Sequence, residues 1–357
     1  MEIKKQRNSS VELLRIISML FIVFSHLCVH NGIYLDAMPL SLNKIIIQWG
    51  VLGNLGVAIF VTVSGYFIST KTVSRKRFID LLTQVWFYSV LLAVICFFVF
   101  DTKLNTKDIL QVLLPTVFAE YWFFTAYIVL LLISPFINIV IQNLSRSDFS
   151  KLLLILVILW VFIPTFTRQG MHATELAQFV MFYLIGAYIR KYPDNCFSRK
   201  KVRILCTVIS WILLLSSTVL YELLLSKTAL DLSGYRGYFY SRNSLFVVGI
   251  AIGMFAIAVY SKPFTSRFIN TVASCVFGVY LIHDNPFVRR ILWSRIFNIA
   301  EIYSSNLFVL YAVAIVIAVF SACALFEFIR LRTISASLSN AVDRGVGWIS
   351  RCFSKNK

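Results

Sequence analysis

Residues 11–30 read VELLRIISMLFIVFSHLCVH, and this stretch decides the fold. As a helix it rises about 30 Å at 1.5 Å per residue, the thickness of a bilayer's hydrocarbon core. Within this apolar run stand Glu12, Arg15, His26 and His30. At about 100° per residue the four fall on one helical face, with Ser18, Ile22 and Ser25 between them. An arginine inside the hydrocarbon region costs at least about 2.5–3.5 kcal/mol, so intramembrane ionisable groups mark function by default. Arg15 and His26 are eleven residues apart, about 16 Å along the axis, so the stripe reads as a polar track across the membrane.

The rest of the chain has the same character. Of 357 residues, 59% are hydrophobic and 14% charged, against norms of about 45–50% and 25% for soluble domains. This is the composition of an integral membrane protein. The net charge of +18 comes from short basic clusters between apolar runs, which signals topology rather than nucleic-acid binding. Seven cysteines show no CxxC or Cys/His metal spacing and read as buried free thiols, not a disulfide framework or a metal site. No small-residue cleavage site follows the first segment, which is therefore expected to stay as an anchor.

Ten spans are expected, at about 11–30, 45–68, 79–100, 121–142, 151–167, 174–190, 202–225, 243–260, 268–284 and 304–329. They form one all-α bundle over residues 1–357, with a short basic tail from about 331 to 357. An even number of spans puts both termini on one side. That side carries 23 lysines and arginines and the other 10, so the positive-inside rule places both termini in the cytoplasm.

His283 is the second candidate. It ends the run Tyr280-Leu281-Ile282 and precedes Asp284, Asn285 and Pro286, at a depth expected to match His26. Imidazole is the commonest general base near pH 7, and Asp284 could orient it; a helix-capping histidine is the alternative. His30 and His172 sit at loop edges and read as solvated. Glu120-Tyr121-Trp122-Phe123-Phe124 reads as an interfacial aromatic belt, and Ser134-Pro135 as a kink. Ser74-Arg75-Lys76-Arg77 is a topology signal or a cradle for polyanions such as the phosphates of coenzyme A. Neither GxGxxG nor a Walker loop is present.

These motifs together resemble the acyltransferase-3 family of bacterial membrane acyltransferases. The stretch from Arg7 through Glu12 and Arg15 to His26 resembles the family's opening. Tyr121-Trp122-Phe123 through Ser134-Pro135 resembles its mid-chain segment, and Tyr280-Leu281-Ile282-His283 its late Tyr-Leu-x-His run. The resemblance covers nearly the whole chain. It implies transfer of an acyl group, usually acetyl from acetyl-CoA, onto a hydroxyl of a surface polysaccharide or lipid-linked glycan, in a bacterial cytoplasmic membrane and without a metal. It also implies that Arg15 and His26 are the essential pair. The family's paired arginines three apart have no direct counterpart: Arg75 and Arg77 are two apart, and Asp80 stands three beyond Arg77.

The expected site is therefore Glu12, Arg15, His26 and His283 for chemistry, with Arg75, Lys76 and Arg77 for the donor's phosphates. His26 would act as base or carry the acyl group itself. A glycan or lipid-linked-sugar transporter is the rival reading, since ten spans and a polar track would serve it too. A non-catalytic subunit of a polysaccharide synthase is a third.

Overall fold

The computed structural model describes residues 8–35, 38–71, 73–228 and 233–334, which form helices joined by turns and loops, with no strand among them. The helices are α1 (Ser9–Val29), α2 (Leu42–Trp49), α3 (Gly53–Ile68), α4 (Arg75–Phe100), α5 (Thr106–Leu113), α6 (Trp122–Asn143), α7 (Arg146–Val157), α8 (Ile163–Thr167), α9 (Glu175–Lys191), α10 (Lys200–Lys227), α11 (Leu245–Tyr260), α12 (Arg267–His283), α13 (Pro286–Ile291) and α14 (Phe308–Thr333). Two pairs join into single passes. A 3₁₀ turn at Gly50–Leu52 links α2 to α3, and a π-turn at Ile158–Phe162 links α7 to α8.

Eight passes are long and apolar enough to cross a membrane. The other two expected spans correspond to α9 and α12, each 17 residues, about 25 Å and so short of a full core. The chain is a helical polytopic membrane protein. From residue 335 onward the expected basic tail lies outside the described residues, as does Cys352. The six described cysteines are free, but against the expected burial Cys196 is exposed and Cys206 half-buried.

Lipid replaces water as the solvent outside the bundle, so side-chain exposure is inverted relative to a soluble protein. Phe98 on α4, Phe136 on α6, Leu220 on α10 and Leu310 on α14 all face outward. Without a hydrophobic force between helices, close packing of small residues must hold the centre. At the α3–α9 crossing, a Cβ on Gly65 would lie 2.0 Å from the Tyr183 carbonyl oxygen, and one on Gly186 2.0 Å from that of Thr62. Only glycine admits that approach.

Polar side chains tie the remaining helices. Glu222 on α10 binds Lys44 Nζ at 2.9 Å and accepts from Gln48 Nε2 at 2.6 Å, both on α2; all three are buried. Glu327 and Arg330 on α14 pair at 2.7 Å, and Glu327 also accepts from Gln84 and Tyr88 of α4. The sequence segmentation has no helix between 101 and 120. There α5 forms behind a capping box, Asn105 and Asp108 each accepting the other's backbone N–H at 3.0 Å.

Candidate active site

Helices α1 and α12 run side by side in a register that fixes the site. At one end Ser9 accepts from the Ser266 backbone N–H at 2.8 Å and donates to Asn270 at 2.9 Å. At the other, His26 Nδ1 lies 3.0 Å from His283 Nε2. Ser9 with Ser266, and His26 with His283, are both 257 residues apart. The two helices are therefore parallel and unshifted over 17 residues, about 25 Å, which brings the histidines to equal depth as their sequence positions suggested.

The hydrogen bonds assign the tautomers. His283 Nδ1 lies 2.5 Å from the Val279 carbonyl, which can only accept. Its proton is therefore on Nδ1, and His283 Nε2 offers a lone pair. His26 Nδ1 must then carry the proton it shares with that lone pair, which leaves His26 Nε2 as the open acceptor of the pair. His283 is fully buried and the His26 side chain 16% exposed. Asp284 Oδ1 lies 3.5 Å from His26 Nδ1, placed to stabilise a proton gained by that ring.

The corner after α12 holds this geometry. Asn285 accepts from the backbone N–H groups of Phe287 and Val288, starting α13, and donates to Tyr121 Oη at 2.8 Å. Tyr121 in turn donates to the Leu281 carbonyl at 3.1 Å. Tyr121, read from sequence as interfacial belt, is buried here as a brace. The Trp293 ring stands edge-on to His283, centroids 6.4 Å apart.

The depth is greater than an outer boundary would give. A Cβ on Gly278 would meet the Glu327 side chain, which levels those two residues. From there α14 runs 19 residues on to Phe308, and α12 only five to His283. The histidine pair thus lies about 20 Å below that end of α14.

The other expected residues lie elsewhere. Arg15 pairs with Glu12 at 2.8 Å, and its guanidinium is 6.0 Å from the Phe60 ring centroid; the pair is one turn of α1 and remote from the histidines. The expected continuous track is not built. Ser18, Ile22 and Ser25 pack against α3, where Cβ atoms on Gly56 and Gly53 would collide with them. Arg75, Lys76 and Arg77 are exposed on the first turn of α4, behind the N-cap Ser74. Basic groups there add to the positive end of the helix dipole and suit an anion. His172 is exposed, as expected.

Two neighbours of the pair differ from the sequence reading: His30, on the α1 stripe but read as solvated, is half-buried, and Arg289 was not singled out. The His30 ring is 5.1 Å from that of His26, one turn on. Arg289 binds Asp284 at 3.3 Å. His26, His30 and Asp284 bring one ligating atom each to within 4.8 Å of one another, a donor set that suits a transition metal, although the Arg289 charge opposes a cation.

A family model described as an acyltransferase domain matches residues 8–328. The chain belongs to the acyltransferase-3 family. The match spans α1 through nearly all of α14, so the histidine pair, the Glu12–Arg15 pair and the α4 arginines all lie within it. No curated protein matches the chain, and no solved structure matches it. Membership makes this a membrane acyltransferase.

Proposed function

We propose that the protein is an O-acyltransferase that moves an acyl group, acetyl in the first instance, from acyl-CoA to a hydroxyl of a surface polysaccharide or lipid-linked glycan. The observation that carries this reading is the His26–His283 pair, whose hydrogen bonds leave His26 Nε2 as an oriented base inside the bundle. His26 takes the proton of the acceptor hydroxyl as its oxygen attacks the thioester carbonyl. The C–S bond breaks, and the CoA thiolate recovers the proton from His26, so no proton is gained or lost overall. Asp284 stabilises the transient imidazolium. His283 holds the tautomer.

Counting α9 and α12 as passes gives ten, for which the charge pattern favours both termini in the cytoplasm, and the family resemblance implies a bacterial inner membrane. The donor's phosphates then meet Arg75, Lys76 and Arg77, and its thioester reaches about 25 Å in to His26, while the acceptor arrives from the opposite face. Glu12 and Arg15 lie on the donor side, where Arg15 completes the electrostatics of entry. Family membership supports acyl transfer over the transporter reading. The test is glycan acylation in cells that carry His26→Ala at normal expression. Acylation should vanish, and full acylation would refute the assignment. Acyl-CoA-dependent thiol release by the purified protein separates an acyltransferase from a transporter, which would show none.

A further inference from the structure

The segment after His283 reads Asp284-Asn285-Pro286-Phe287-Val288-Arg289-Arg290-Ile291-Leu292-Trp293-Ser294-Arg295. It sets three arginines against one carboxylate, at the end of the bundle opposite Ser9, where the positive-inside pattern leaves the fewest cations. Arg289 is the innermost. One carboxylate oxygen, Asp284 Oδ1, lies 3.3 Å from its NH1 and 3.5 Å from His26 Nδ1. That oxygen alone thus bridges the guanidinium and the imidazole. The Asp284 side chain is 4% exposed and that of Arg289 34%, so the arginine leads from the buried carboxylate towards open space. Arg290 and Arg295 are exposed beside it. A single aspartate uses only part of a guanidinium's five-donor fork, which matches the paired oxygens of a carboxylate or phosphate.

We propose that Arg289 anchors an acidic group of the acceptor beside His26, so that the preferred acceptor is an anionic saccharide. This rests on the acyl-transfer reading above and adds the acceptor's charge to it. Arg289 acts on binding; the proton transfer stays with His26. The acid has two sources, a uronic-acid carboxylate within the glycan or the phosphate of a lipid-linked sugar. Both present the same paired oxygens.

The experiment uses the full-length enzyme in nanodiscs with acetyl-CoA. It compares three acceptors: a neutral disaccharide, the same disaccharide with one uronic acid, and the neutral disaccharide on a polyprenyl diphosphate. Wild type should use at least one acidic acceptor about tenfold or more better in kcat/KM than the neutral one, with the advantage shrinking as salt rises. The acceptor that shows the advantage identifies the source. In Arg289→Gln the acidic-to-neutral ratio should collapse to about one through KM, and Arg289→Lys should restore part of it. Equal use of all three acceptors by wild type would overturn the proposal, whatever the variant's folding. So would a ratio unchanged in Arg289→Gln, the mark of a merely structural Asp284 partner. His26-dependent acetylation of the neutral disaccharide reports on the acyl-transfer reading separately.

Discussion

Replacing His283 tests the tautomer argument directly. His26 Nδ1 donates to His283 Nε2 at 3.0 Å in a buried setting. In His283→Ala that proton loses its 3.0 Å acceptor and keeps only Asp284 Oδ1 at 3.5 Å, and leaving a buried donor so poorly satisfied costs up to about 1–3 kcal/mol. The ring can escape the cost by moving its proton to Nε2, which removes the lone pair that the reaction needs. At about 1.36 kcal/mol per tenfold in rate, kcat should fall roughly ten- to a hundredfold. The KM for acyl-CoA should hold, because the arginines of α4 are untouched. His283→Gln supplies a carbonyl acceptor in place of Nε2 and should recover part of the loss. The assay is thiol release from acetyl-CoA by purified protein, with glycan acetylation followed by mass. A His283→Ala enzyme of wild-type kcat, or a Gln variant no better than Ala, would refute the argument.

Three further outcomes follow from other parts of the bundle. Arg75→Ala with Arg77→Ala removes exposed groups, so the fold should persist while the KM for acyl-CoA rises about tenfold, roughly the loss of one charge-assisted contact; acyl-pantetheine, which lacks the nucleotide phosphates, should show no change, and an equal rise for both donors would sink the cradle. Glu222→Leu takes from the buried Lys44 the carboxylate it binds at 2.9 Å, which should destabilise the protein by about 3–5 kcal/mol; Lys44→Met in the same chain should restore part of the melting temperature. Burial pushes the Glu120 carboxyl up to about 7 from its ordinary 4.5, against the opposing bond from Ser89. The folded state then holds a proton that the unfolded chain releases, so stability should fall as pH rises from about 4.5 through 7. Glu120→Gln should flatten that slope, and an unaltered dependence of melting temperature on pH in the variant would contradict it.

The sequence carries the fold through hydrophobic length and the candidate site through misplaced polarity. An arginine and histidines in an apolar run are conspicuous because hydrocarbon tolerates them poorly, which is why His26 and His283 were legible. Their shared depth was legible too, from loop counts, though not their contact: that depends on α1 and α12 being parallel neighbours, which nothing local encodes. Arg289 was missed, and His30 was read as solvated, because each stands at a helix end, where a charged or polar residue needs no excuse. Lys44 and Glu222 are 178 positions apart, so neither announces the other. The α5 helix had a signal that went unused, since Asn105 three residues before Asp108 is a capping box in plain view. The stripe of α1 misled for a physical reason: small polar residues such as Ser18 and Ser25 serve close helix packing as readily as a polar path.

The shortness of α12 has an energetic consequence for the cell as a whole. Its neighbour α14 is 26 residues long, and α12 ends after 17, so the corner that carries the histidines stands within the depth that α14 spans. A charge that crosses the full membrane potential exchanges about 2.3 kcal/mol per 100 mV. A wet gap there would short-circuit the proton gradient through a pair of imidazoles. His283 and Asn285 are fully sealed from solvent and Asp284 nearly so. The corner that aligns the base is therefore also an insulator, and any variant that loosens it should leak protons before it stops working.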